Sequence, residues 1–392
     1  MLAVHVASGS FPKRIAALVP PEAVPGTISG PVRQLTALAG ALQGVGIECL
    51  VVALHRNLGA PSAFASHLKE AGVPHCVVPD RGPFDWRLAS TVGAVLRGWR
   101  PSLVQTHGYK ATAVAYVLRQ LGAPWHWIGC FHGSTSEPFR ARFYHWLDRR
   151  LLGSAERVVV MSHAQARAFR HCGPRVRVIY NAALALPSAT HSLRLPIADT
   201  LARPIIGVVG RLSREKGVDF FLEACAILAA RGLAFSALVA GEGPGRARLE
   251  AQCARLRLAS RVRFLGHVHD VQALYRTIDL LVLPSRSEGL PNTLLEAMHA
   301  DVPVVATTVG AVPEVVGTSS AARLVAPGSV AALADAMEQA VTHGDLPEAA
   351  AARREVLSRF SLEHRVDAHL QLYRDLLEAA KGRPVCVESP VR

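Results

Sequence analysis

Two glutamates, Glu288 and Glu296, lie eight positions apart in the run SEGLPNTLLEA, residues 287–297. A carboxylate accepts hydrogen bonds from neutral hydroxyls and is repelled by a phosphate. The preceding residues, Leu280-Leu281-Val282-Leu283-Pro284, have the continuous apolar character of a buried strand. Beyond Pro291 the pattern turns helical, with Leu294, Leu295 and Met298 on one face. Glu288 is therefore expected on a strand-to-helix loop and Glu296 about one turn inside the helix. Asn292 and Thr293 would leave the first amides of that helix to hold an anion. One loop that binds phosphate by its backbone and hydroxyls by a carboxylate suits a nucleotide-sugar. Acids eight apart also occur on solvated helices, so the spacing alone leaves both readings open.

A second candidate loop is Gly210-Arg211-Leu212-Ser213-Arg214-Glu215-Lys216-Gly217, after the apolar run 205–209. Arg211 and Lys216 on a tight strand-to-helix loop would neutralise a diphosphate, Arg engaging two oxygens and Lys acting as a point charge. Arg214 fits an exposed cation better. The turn Gly241-Glu242-Gly243-Pro244-Gly245 is a poor dinucleotide site, because its spacing is wrong, Pro244 interrupts it and it does not follow the first strand. His267, His269 and Asp270 read as ordinary loop residues and not as metal ligands.

These loops need strands to hold them. Apolar runs suited to parallel strands fall at 15–19, 48–54, 75–78, 103–105, 127–130 and 158–161. Helical patterns alternate with them at 32–42, 63–71, 88–97 and 111–121. A second series follows, with strands at 205–209, 234–240, 262–264, 279–283 and 303–307 and helices at 218–231, 246–256, 271–277 and 292–300. Such alternation predicts doubly wound parallel sheets. Pro187, Ser188, Pro196 and Pro204 break the rhythm. The expected organisation is a first domain over 1–187, a linker over 188–204, a second domain over 205–361 and a final helix at about 362–381. The tail 382–392 is expected to fray. Two sheets joined by a linker imply a cleft at the carboxyl ends of their strands.

Composition narrows the function classes. Of 392 residues half are apolar and 19% charged, and no apolar run reaches the roughly 18 residues of a membrane span. The stretch 1–20 is broken by Lys13 and Arg14 and does not read as a signal peptide. Seven scattered cysteines without a CxxC pair suit a reducing cytosol, not a disulfide framework or zinc site. Residues 1–190 hold 20 Lys and Arg against 8 Asp and Glu, whereas residues 191–392 hold 23 against 22. The densest part runs from Arg140 to Arg177. An anionic partner of the first half is one reading and a solvated Arg-rich face the other. Nucleic acid is disfavoured, since no recognition module accompanies the charge. The segment 139–147, with Phe143, Trp146 and Leu147, could lie on a lipid surface or form a core helix.

The strings GRLSREKGVDFFLEA, VAGEGPGRARLE, VRFLGHVHDV, DLLVLPSRSEGLPNTLLEAM and PVVATTVGAVPEVV, in that order, resemble glycosyltransferase family 4, retaining enzymes of the GT-B fold. SGPVRQLTALAGAL, VQTHGYKA, CFHGS and VIYNAAL extend the resemblance through the first half. It implies two Rossmann-like domains facing a cleft, with the last helix returning to the first domain. The basic pair at the donor diphosphate would be Arg211 and Lys216, after Gly210. Glu288 would meet the transferred sugar's hydroxyls, Glu296 the ribose, and Gly289, Leu290, Asn292, Thr293 and Leu294 would supply amides to the donor. Ser29 and Gly30 would form the loop that lets phosphate and acceptor approach, here stiffened by Pro31. This chain has Leu290-Pro291-Asn292 where many members carry Phe-Gly. His132 matches a histidine facing the donor sugar and Asn181 a structural asparagine, while His107 reads as structural.

The implied reaction is sugar transfer from a nucleoside-diphosphate sugar to a glycan or lipid-linked acceptor in polysaccharide or glycolipid assembly. Front-face attack with retention is expected, with Glu288 and His132 orienting the sugar. A double displacement with Glu288 as nucleophile is the alternative route. UDP-sugars are favoured over GDP-sugars from family frequency, and without an Asp-x-Asp signature no divalent metal or other cofactor is expected. A cytoplasmic enzyme that visits the inner membrane face through its basic first half is the matching localisation. A nucleotide-sugar epimerase, a sugar phosphorylase or a non-catalytic adaptor on the same fold are the competing assignments.

Overall fold

The computed structural model describes residues 12–20, 30–56, 62–82, 85–133, 139–184, 194–345 and 348–381, with 139–143, 145 and 381 by backbone alone. Ser29, the Phe143 side chain, residues 188–193 of the expected linker and the tail 382–392 with Cys386 lie outside this description.

The first domain begins with β1 (Arg14–Val19), α1 (Gly30–Gly44), β2 (Glu48–His55), α2 (Ala63–Glu70) and β3 (His75–Pro79). It continues through α3 (Arg87–Trp99), β4 (Leu103–His107), α4 (Tyr109–Gln120), β5 (His126–Phe131) and α5 (Phe139–Leu152). It closes with β6 (Arg157–Val160), the short α6 (His163–Ala166) and β7 (Val176–Val178). These seven strands form one parallel sheet in the order β3-β2-β1-β4-β5-β6-β7. The apolar runs mark its strands because both faces are covered by helices, as in β2, where only Glu48 is exposed.

The second domain contains β8 (Ile205–Val209), α7 (Val218–Ala230), β9 (Ser236–Ala240), α8 (Arg246–Arg255), β10 (Val262–Gly266) and α9 (Val271–Thr277). Then come β11 (Leu280–Leu283), α10 (Asn292–His299), β12 (Val304–Thr307), α11 (Val312–Val316) and β13 (Arg323–Val325). Its six parallel strands run β10-β9-β8-β11-β12-β13. Helices α12 (Val330–Thr342) and α13 (Ala349–Arg359) lead to α14 (Leu362–Lys381).

Helix α14 returns to the first domain and packs on α1. Val366, Leu370, Tyr373 and Leu376 are buried along it, in a core continuous from Ile15 and Val51 to Leu281 and Val304. Arg365 Nη1 donates to the Gln34 carbonyl at 3.0 Å and also to the Gln34 side-chain oxygen. Gln105 Nε2 donates to the Tyr373 hydroxyl at 2.5 Å. The two sheets are thus stapled by one helix from the chain's end, and no described helix is long and apolar enough to cross a membrane.

Trp146 on α5 is 51% exposed, so it does not join the core that the core-helix reading of 139–147 required. The α4–α5 contact instead buries Asp148, whose Oδ1 has no hydrogen-bond partner among the described residues. Burial pushes its carboxyl up to about 6, opposed by a hydrogen bond with Thr112. A carboxyl whose folded pKa lies above its unfolded value of roughly 3.9 destabilises the fold above the folded pKa and not below the unfolded one. Asp148→Asn is therefore expected to add about 3 kcal/mol to unfolding stability at pH 7.5. The gain closes near pH 4, and urea titrations at the two pH values check it.

Candidate functional site

The carboxyl ends of both sheets face one cleft of about 900 Å³. The turn after β8 delivers Arg211 and Lys216 to its wall, and the loop after β11 delivers Glu288, Gly289, Leu290, Asn292 and Thr293. Gly30 and Arg33 at the start of α1 and His107 and His132 at the ends of β4 and β5 line the opposite side.

Lys216 Nζ donates to both oxygens of Glu288, at 2.7 and 3.0 Å, and Ser285 Oγ donates to Oε1 at 2.7 Å. The Glu288 side chain is only 7% exposed, so the ammonium is its main electrostatic compensation. Arg211 lines the same wall, and Gly210 packs 3.8 Å from the Lys216 stem when a Cβ is built on it. Arg211, Lys216 and Glu288 therefore converge. Arg214 is exposed.

Glu296 sits one turn into α10 and is buried. Its Oε2 accepts from the buried Tyr275 hydroxyl at 3.1 Å, and its Oε1 from Arg33 Nη2 at 2.7 Å. Arg33 belongs to the first domain, so this ion pair crosses the cleft. Asn292 bridges it too, its Oδ1 accepting from Asn181 Nδ2 at 3.0 Å and Gln34 Nε2 at 3.4 Å. A Cβ on Gly30 would lie 2.3 Å from Asn292 Nδ2, which is why a glycine starts α1. Glu314 on α11 reaches across to the amides of His163 and Ala164 at 2.9 and 3.0 Å and accepts from the Tyr180 hydroxyl at 3.0 Å.

Leu294 departs from the other loop residues. Its side chain is fully buried in the core, and its amide donates to the Pro291 carbonyl at 3.1 Å, so neither faces the cleft. The reason is helical phase: Leu294, Leu295 and Met298 form the buried face of α10. The glycines of the 241–245 turn have a packing cause, since a Cβ on Gly243 or Gly245 would lie 2.5 or 2.9 Å from the Leu212 carbonyl. Asp270 caps α9 by accepting from the Ala273 amide at 2.8 Å, which accounts for it without a metal. Of the basic run, Arg175 is engaged by the Gly153 and Ala155 carbonyls, while Arg149, Arg150, Arg167 and Arg170 are exposed.

Motif spacing had not singled out Arg33, Tyr275, Ser285, Gln34 or Gly310 as parts of the site. Each acts by contact with a motif residue, and Arg33 and Gln34 do so from the other domain. A phosphate-sized anion could meet Arg211, Lys216 and the open amides of α10, and hydroxyl groups could meet Glu288 and Glu296.

The family model described as Glycosyl transferase 4-like domain matches residues 29–182, and Glycosyl transferases group 1 matches residues 203–343. The 2-deoxystreptamine N-acetyl-D-glucosaminyltransferase of Streptomyces fradiae is 32% identical over 317 residues, covering 73% of this chain and 74% of that protein. The 2-deoxystreptamine glucosyltransferase of Streptomyces kanamyceticus is 36% identical over 178 residues, and there the match spans 44% of this chain and about half, 46%, of the relative. Anabaena HepE, solved in complex with UDP-glucose, superposes with a TM-score of 0.74 at 22% identity, over 93% of this chain and 99% of that one, a likeness of fold. The chain belongs to the glycosyltransferases, and its two facing Rossmann-like domains are the GT-B fold of that family.

Proposed function

We propose that the protein transfers a sugar from a nucleoside-diphosphate sugar to a hydroxyl of a glycan or lipid-linked acceptor with retention of anomeric configuration. The observation that carries this is the convergence of Arg211 and the Lys216–Glu288 pair on a cleft whose far wall holds His132. Without a donor, Lys216 satisfies Glu288. With one, the diphosphate takes Lys216 and Arg211, and Glu288 turns to sugar hydroxyls. The cations then stabilise charge growing on the leaving diphosphate, which is electrostatic catalysis. In front-face attack the leaving phosphate oxygen accepts the acceptor's proton, so no side chain need act as base.

Several neighbours support the nucleotide class and the acceptor class. The HepE structures hold UDP and UDP-glucose. The similar proteins include a lipopolysaccharide core mannosyltransferase of Rhizobium meliloti. UDP-sugars are the first choice of donor, and the exposed arginines of the first domain suit an acceptor at an anionic surface; sedimentation with anionic vesicles at low salt tests the latter. No divalent metal is assigned a role. The test of the reaction is an acceptor panel with UDP- and GDP-sugars, read by NMR of the product's anomeric proton. The donor's own anomeric configuration is expected, and an inverted product would overturn retention.

Glu296 is assigned to the ribose hydroxyls. On binding, these would replace Arg33 on Oε1. Glu296→Gln is expected to weaken nucleotide affinity about tenfold, the scale of one hydrogen bond to a charged group. Calorimetry with UDP alone measures it, and unchanged affinity would remove Glu296 from the nucleotide site.

A further inference from the structure

The ends of β4 and β5 bring two imidazoles together. His107 Nδ1 and His132 Nε2 are 2.7 Å apart, and the rings stack with centroids 5.0 Å apart. A nitrogen–nitrogen hydrogen bond holds one proton, so the tautomers of the two rings are tied. If His107 donates, its Nε2 is a bare lone pair and His132 carries its own proton on Nδ1. If His132 donates, His107 must bury an Nε2–H.

The surroundings of His107 decide between these. It is 7% exposed, and its Nε2 has no hydrogen-bond partner among the described residues. An orphaned buried N–H is rarer in proteins than an under-used acceptor. The charged and titratable groups acting on His107 are His132 just after β5 and Arg365 and His369 on α14, and no carboxylate is among them. The Arg365 guanidinium favours a lone pair over an N–H dipole in its field. His369 is turned to its own helix, with Nδ1 2.8 Å from the Arg365 carbonyl.

From this geometry we infer that His107 is a positioning residue that holds His132 as the neutral Nδ1–H tautomer, so that His132 offers the cleft a hydrogen-bond donor. The inference deepens the proposed function and rests on it for the recipient, an oxygen of the transferred sugar. With Nε2 given to His107, Nδ1 is the ring nitrogen left for the cleft that His132 lines. Burial and the Arg365 charge push the His132 imidazole down to about 4, and His107 is held well below the usual histidine range, first by burial. Both rings stay neutral through mildly acidic pH.

The direct test is the long-range nitrogen–proton spectrum of the full chain labelled with 15N-histidine, without nucleotide-sugar, with His132 assigned by difference against His132→Gln. The Nδ1–H pattern is expected, unchanged from pH 7.5 to pH 5. An Nε2–H pattern, or a ring titrating near pH 6.5, would overturn the inference. The enzymatic arm uses two variants at position 107. His107→Asn can still donate to His132 Nε2 and is expected to keep kcat within about threefold. His107→Asp can only accept, forces the proton onto His132 Nε2, and is expected to lower kcat about tenfold with a smaller change in KM. Equal kcat in the two would contradict the assignment. Because the spectrum needs no donor, failure of nucleotide-sugar binding would count against glycosyl transfer and leave the tautomer result standing.

Discussion

Lys216→Ala is expected to lower kcat/KM by about 10²–10³, the range seen when one preorganised charge-stabilising contact is removed. Two losses combine. The leaving diphosphate loses a point charge, and Glu288, 7% exposed, keeps only the Ser285 hydroxyl of its two described hydrogen-bond partners. Stranding a buried carboxylate also costs stability. Glu288→Gln separates the terms, because it removes the carboxylate proposed to orient the sugar while releasing Lys216 for the proposed phosphate contact. It is expected to lose activity on the same scale without the stability cost. Lys216→Ala combined with Glu288→Gln should cost far less than the product of the single effects, since the two residues share one hydrogen-bonded unit. Steady-state kinetics and melting curves of the three variants decide this, and multiplicative losses would show that the pair does not act together.

Gly310→Ala is expected to lower kcat/KM about 10²-fold, although Gly310 carries no reactive group. Its φ is +57°, and a Cβ there would lie 2.2 Å from the Glu288 carbonyl oxygen and 2.8 Å from that of Gly289. The methyl group must displace the loop that aims Glu288, and a displacement of about 1 Å can cost that factor. Gly328 is the control. Its φ is +82° with nothing within 4 Å of an added Cβ, so Gly328→Ala should cost about 1 kcal/mol in backbone strain and leave turnover intact. Similar activity in the two variants would show that loop position does not matter.

The sequence announces some of this design and conceals the rest for physical reasons. Long strands such as β2 and β8 are readable because a doubly covered parallel sheet demands unbroken apolar runs. The sheet edges β7 (Val-Arg-Val) and β13 (Arg-Leu-Val) are three residues long with an arginine each, and escape that test. Helices α12 and α13, rich in alanine, carry too little polar contrast to stand out from a surface segment. At the site, Arg211, Lys216, Glu288 and Glu296 are legible because each sits on a short loop or helix start next to a strand. Arg33 is not, since its partner Glu296 is 263 residues away and the pair exists only between the two folded domains. Leu294 illustrates the opposite error: adjacency to site residues does not survive the 100° turn per helical residue.

The proposed glycosyl transfer requires that the two cations of the second domain grip a nucleoside-diphosphate sugar. Titration calorimetry of the intact chain with UDP- and GDP-sugars, repeated on Arg211→Ala and Lys216→Ala, tests it most directly. Saturable one-to-one binding by the parent protein, weakened at least tenfold in each variant, is the predicted result. Binding of equal strength in all three proteins, or none of either nucleotide-sugar class to the parent, would contradict it.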